Sequence, residues 1–276
     1  MNAINKWKEY CDGSAVLAWL TIAIAGVWVI MAISSLFHFD NFVSAQFTLP
    51  SRIELFLTRP WTLLTYMAVH FDILHMLFNV AWLYWFGRIL LITLSESHLA
   101  YYFIGGGITG GVFFLVASAL GASGGWLCGA SASVIAVMCG AAIRLPDHRL
   151  NLLLIGSVKL KWIALACCVL TFLGGGGNQT AHIGGLAWGV ATALMIRAGF
   201  DPIARIKHSS LYSRAKRKTD KNRRNPAGVV EAMNKHRNDM EHLDKLLDKI
   251  RISGYGSLSL KERKELNNLS KRLKKN

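Results

Sequence analysis

Apolar residues run almost unbroken from Ala15 to Phe37, from about Asp72 to Thr93, and from Leu99 to Leu120. Each run is long enough to cross the ~30 Å hydrocarbon core of a bilayer as a helix. Shorter apolar runs follow at Ser131–Ile143, Trp162–Leu173 and Ala181–Ile196. The pattern predicts an all-α polytopic membrane protein with six spans. The first run exceeds the apolar core of a signal peptide and lacks a clear cleavage site, so it reads as a retained span.

The connections carry their own signals. His38 to Pro60 mixes Phe47, Leu55, Phe56 and Leu57 with polar residues, which suits a loop lying at the membrane interface. Trp61 follows, a residue that favours that depth. Gly105–Gly107, Gly110 and Gly111 lie within the third run, where small residues permit close helix contact. Arg144 to Arg149 stops the fourth run. Asn151 to Ile155 fits an interfacial hairpin or the start of the next span, and Gly174 to Thr180 fits a turn. Four segments are expected: an N-terminus over 1–14, a six-helix domain over 15–200, a basic linker over 201–225 and a small helical extension over 226–276. In the extension, Met240, Leu243, Leu247 and Ile250 recur at helical spacing. Gly254–Gly256 breaks that helix, and Ser259 with Glu262 forms a capping-box pattern before Leu266, Leu269 and Leu273.

Composition agrees with a membrane protein. The chain is 53% hydrophobic and only 17% charged, with a mean hydropathy of +0.34. The net charge of +15 is concentrated after residue 203. Lys6, Lys8, Arg144, Arg149, Lys159, Lys161 and the tail fall on one side of the six-span arrangement. The positive-inside rule then places both termini in the cytosol, as for a bacterial inner (plasma) membrane protein. The basic tail is expected to contact anionic lipids, with no nucleic acid partner. Five cysteines show no metal-ligand spacing and no HExxH occurs, so no metal and no cofactor are expected.

The chemistry gathers at one depth. Ser131 opens the fourth run beside the free N–H groups of a helix start, which suit a developing oxyanion. His182 begins the last run, near its outer end. An ionisable group inside a span is a functional hypothesis by default. Gly185 and Gly189 follow His182 at the spacing that lets helices approach closely, and Gly129 shortens the approach to Ser131. A neutral imidazole within reach of that hydroxyl could take its proton and later give it to a leaving amine. His75 and Asn79, four apart, share a helix face and can both donate to an oxyanion.

The patterns HFxxxHxxFN at His70 to Asn79, GxS at Gly129 to Ser131 and AHxxGxxxG at Ala181 to Gly189 resemble those of the rhomboid family of intramembrane serine proteases, in the same order. The resemblance covers roughly residues 15–200. It implies a six-helix core, Ser131 as nucleophile and His182 as general base in a dyad without aspartate. It also implies an oxyanion hole from His75, Asn79 and the Ser131 N–H, and transmembrane proteins as substrates. The short basic extension resembles that of some bacterial members. Ala132 stands where the family usually has Gly, Thr62 where an Arg follows the loop tryptophan, and Ile135 where an aromatic often packs on the histidine. The alternatives are a non-catalytic rhomboid-like protein that binds transmembrane clients, and a transporter with its histidines on a proton path. No internal repeat supports the latter.

Overall fold

In the computed structural model, residues 3–11, 13–152, 156–173, 179–208, 240, 242–250 and 255–273 are described. The expected basic linker falls largely outside them, as do the glycine-rich turn at 174–178 and part of the break at 251–254. The chain divides into two units, Met1–Arg205 and Ile206–Asn276.

Short polar residues start the long helices of the first unit. α1 covers Ala3–Tyr10 and α2 covers Ala15–Leu36. The Ser14 side chain accepts the Leu17 N–H at 3.1 Å, satisfying one of the unpaired donors at the start of α2. α3 (Asp40–Phe47), β1 (Leu49–Pro50), α4 (Ile53–Thr58), α5 (Thr62–Thr65) and a 3-10 turn at Tyr66–Ala68 fill the segment between the first two long helices. α6 runs over Ile73–Leu91 and is capped by Asp72, which accepts the His75 N–H at 2.7 Å. α7 runs over Glu96–Ala119 and opens on a capping box of Ser95 and His98. β2 (Trp126–Leu127) precedes α8 (Ser131–Arg144). β3 (Arg149–Leu152) and β4 (Gly156–Lys159) form a hairpin, followed by α9 (Leu160–Leu173), α10 (Gln179–Arg197) and α11 (Pro202–His208).

The six expected runs therefore appear as α2, α6, α7, α8, α9 and α10. Of these, α2, α6 and α7 are long and apolar enough to cross a membrane, and α8 and α9 are shorter apolar helices. The reason α8 can be short is its position. Every residue from Ala132 to Ala142 is buried, as expected for a helix that is apolar all round and surrounded by others. α6, α7 and α10 pack around it. At about 1.5 Å per residue, its 14 residues cover only ~20 Å. A helix of that length cannot reach both membrane surfaces, so one end is sunk within the bundle. Glycines on α7 make this possible: Gly106 meets Ala136, and a Cβ on Gly107 would lie 2.6 Å from Ser133 Oγ.

The segment before Trp61 is more ordered than a loop. β1 pairs antiparallel with β2, Leu49 opposite Leu127 and Pro50 opposite Trp126. The short pairing ties this segment to the chain entering α8. Side chains pin it further: Arg59 Nη1 donates to the Ala45 carbonyl at 2.6 Å, Trp61 Nε1 to Gln46 at 2.8 Å and Thr65 Oγ1 to Phe47 at 2.8 Å. These three carbonyls end α3 and have no intrahelical partner. Anchoring thus proceeds without an arginine at position 62. Where a hairpin or the start of a span was expected after Arg149, β3 pairs antiparallel with β4, Arg149 opposite Lys159; residues 153–155 lie outside the described residues.

In the second unit, a helix over 242–250 and another over Leu260–Leu273 share a small cluster of Leu246, Leu258, Leu243, Ile250 and Leu266. The expected capping box forms: Ser259 Oγ accepts the Glu262 N–H at 3.3 Å and Glu262 accepts the Ser259 N–H at 2.7 Å.

Candidate active site

The backbone before Ser131 is held from three directions. Gly129 adopts φ +102°, a left-handed conformation costly for residues with a Cβ. The His75 ring leaves no room there either, since a Cβ on Gly129 would lie 2.7 Å from its Cε1. The Gly129 N–H donates to the Tyr66 carbonyl at 2.9 Å, and the Ala130 N–H donates to His70 Nε2 at 3.2 Å. His70 is fully buried, and its Nδ1 meets the Ala68 carbonyl at 3.2 Å. One ring nitrogen accepts, so the other carries the proton. Gly129, expected at a helix contact, serves this turn and the His75 ring instead.

Ser131 is the first residue of α8, and its hydroxyl does not cap the helix. It meets His182 Nε2 at 2.7 Å. That contact depends on how closely α10 approaches α8. Gly185 faces the Ala132 carbonyl so directly that a Cβ would collide with it, and a Cβ on Gly189 would sit 2.7 Å from the Ala136 carbonyl. The two glycines expected to bring the helices together therefore do so. The Ala132 methyl is accommodated from the other side, in the space left by Gly110 of α7.

His182 Nδ1 is buried and has no hydrogen-bond partner among the described residues. Among the described residues, no carboxylate orients this imidazole. Asn79 Nδ2 donates to the His75 carbonyl at 2.8 Å, one turn back in α6. An amide nitrogen has two hydrogens, so a second donor remains. Asn79 and Ser131 line one cavity of about 80 Å³, together with Trp82, Ile135, Met138 and Cys167. Ile135 thus lines the cavity where an aromatic was expected by the resemblance. The His75 ring stands edge-on to His70, with centroids 5.0 Å apart. Cys128 is a competing nucleophile by sequence position. Burial pushes its thiol up, away from the reactive thiolate.

Four of the candidate residues, Ser131, His182, His75 and Asn79, therefore converge. Sequence reasoning assigned no role to Tyr66 or His70 in holding the turn. The signal for His70 was present, because it opens the motif that ends at Asn79.

The fold and site define a helical membrane protein with a serine–histidine pair at the half-buried start of a short central helix. Residues 57–199, more than half of the 276, match the Rhomboid domain, and the chain belongs to the rhomboid family. Residues 231–272 match a family of unknown function, DUF6576. No curated protein matches the chain.

Proposed function

We propose that this protein is an intramembrane serine endopeptidase that hydrolyses peptide bonds in or near transmembrane segments of other proteins. The observation that carries this reading is the 2.7 Å contact between Ser131 Oγ and His182 Nε2. In this mechanism Nε2 accepts the hydroxyl proton as Ser131 Oγ attacks the scissile carbonyl. The imidazolium then donates that proton to the leaving amine, and water repeats the cycle to release the acyl group. The developing oxyanion is met by the Ser131 N–H, which as the first amide of α8 has no intrahelical acceptor, and by Asn79 and His75. The chain is oriented with both termini in the cytosol, which puts Ser131 toward the outer face.

The test is cleavage of a membrane-anchored reporter by purified protein, with labelling by a serine-directed probe. Ser131→Ala and His182→Ala should each abolish cleavage and labelling while the thermal transition persists. Cleavage by the Ser131→Ala protein equal to wild type would reject the proposal. Binding of clients without any labelling of the wild type would favour a non-catalytic member of the family.

A further inference from the structure

α6 carries His75 and Asn79, and both depend on the one residue that precedes the helix. The first amides of a helix have no intrahelical acceptor. At the start of α6, Asp72 supplies two acceptors. Its carbonyl accepts the Met76 N–H at 3.0 Å, and its side-chain Oδ1 accepts the His75 N–H at 2.7 Å. Asp72 itself stays extended, at φ −98° and ψ 135°, as a capping residue does.

The residue held in this way is the one from which the site is built. The His75 ring lies against the turn before Ser131: a Cβ on Gly129 would fall 2.7 Å from its Cε1, and the ring stands edge-on to His70 with centroids 5.0 Å apart. The His75 carbonyl accepts from Asn79 Nδ2 at 2.8 Å. That bond sets how the Asn79 amide is turned in the cavity it shares with Ser131. The contacts therefore run in series from the Asp72 carboxylate to the His75 N–H, and from the His75 carbonyl to the Asn79 amide.

The negative charge of Asp72 has no part in this series. A carboxylate beside a developing oxyanion would oppose it, and Asp72 is exposed, where water and salt screen it. A neutral acceptor of the same size serves equally, since Asn caps helices as readily as Asp.

We infer that Asp72 is a positioning residue: by capping α6 it sets the placement of His75 and Asn79 against Ser131, through geometry and not through charge. The inference rests on the proposed reading of those two residues as oxyanion donors.

The test compares Asp72→Ala, Asp72→Asn and, as a control, Ser14→Ala in the full chain in detergent. Ser14 caps α2 through the same kind of bond, and α2 carries none of the residues assigned to the site. Both alanine variants should lower the unfolding midpoint. Only Asp72→Ala should lower kcat on the membrane-anchored reporter, by about tenfold or more with KM little changed. Asp72→Asn should restore kcat to within about twofold of wild type. Hydrogen exchange read by mass spectrometry needs no catalysis: peptides spanning residues 72–79 should exchange faster in Asp72→Ala and not in Asp72→Asn. An equal fall in kcat in Ser14→Ala would reduce Asp72 to a contributor to stability alone. A fall in Asp72→Asn as deep as that in Asp72→Ala would assign the effect to charge. Unchanged kcat or unchanged exchange in Asp72→Ala would overturn the inference. Should Asp72→Ala fail to fold, Asp72→Gly takes its place, because glycine removes the same acceptor at a smaller cost to the helix. A wild type without cleavage fails differently: it rejects the protease reading, and exchange alone then decides whether Asp72 holds His75.

Discussion

His70 Nε2 accepts the N–H of Ala130, the residue immediately before Ser131, at 3.2 Å. A fully buried imidazole thus fixes the direction in which the chain enters α8. His70→Ala is expected to free that amide and let the turn relax. The reporter assay should show kcat falling about tenfold or more with KM little changed, since small misplacement of reacting groups is costly. Thermal unfolding should show a loss of ~1–3 kcal/mol for the orphaned buried donor. An unchanged kcat in a folded variant would remove His70 from the positioning role.

Asn79→Ala should lower kcat by roughly one to three orders of magnitude, the range for a lost oxyanion donor. Serine labelling by the probe should survive, because the Ser131–His182 contact does not involve α6. Full activity in this variant would leave the second Asn79 hydrogen without a catalytic role.

Gly185→Ala places a methyl against the Ala132 carbonyl, a contact with backbone rather than with a flexible side chain. Overpacking of this kind costs about 1–3 kcal/mol. The unfolding midpoint should drop, and activity should drop further, because α10 carries His182. An active variant with wild-type stability would show that the seam can open without disturbing the pair.

Ala132 and Gly110 form a small-to-small contact in which a Cβ on Gly110 would lie 2.6 Å from the Ala132 methyl. Gly110→Ala should be destabilising. Adding Ala132→Gly should recover only part of the loss, since the same Cβ also meets the Ala181 carbonyl at 2.9 Å. A double-mutant cycle on thermal stability measures the coupling; strictly additive effects would contradict the contact.

The second unit has its own pH dependence. The hydrogen bond from Lys249, together with those from Ser259, lowers the Glu262 carboxyl from 4.5 to about 2. A depressed carboxyl contributes stability that is present above its unfolded value and lost as pH falls through the folded one. Helicity at 222 nm should therefore decline between about pH 4.5 and 2, and less so in Glu262→Gln. A decline of the same size in that variant would assign it to other carboxylates.

Much of this protein is legible from its sequence, and the reasons are physical. Long apolar runs have few options in a membrane other than helices, because every backbone polar group must be satisfied within the segment. The existence of α2, α6 and α7 follows from that alone, while the caps at Ser14, Asp72 and Ser95 set where they start. The Ser259–Glu262 cap was readable because capping is local. The pairing of β1 with β2 was not, since two-residue strands carry no periodic signal and their partners lie far apart in sequence. The tasks of Tyr66 and His70 were hidden for a related reason: each acts on backbone some sixty residues away.

What the sequence determined by itself was the six apolar helices, the candidates Ser131, His182, His75 and Asn79, and the glycines able to bring two of those helices together. Periodicity, length and residue size are local properties, and they survive in a string of letters. What only the tertiary structure decided was the 2.7 Å contact itself and the seat for the Ala132 methyl at Gly110. Those depend on which faces of α7, α8 and α10 meet, and packing between helices is fixed by all of them at once.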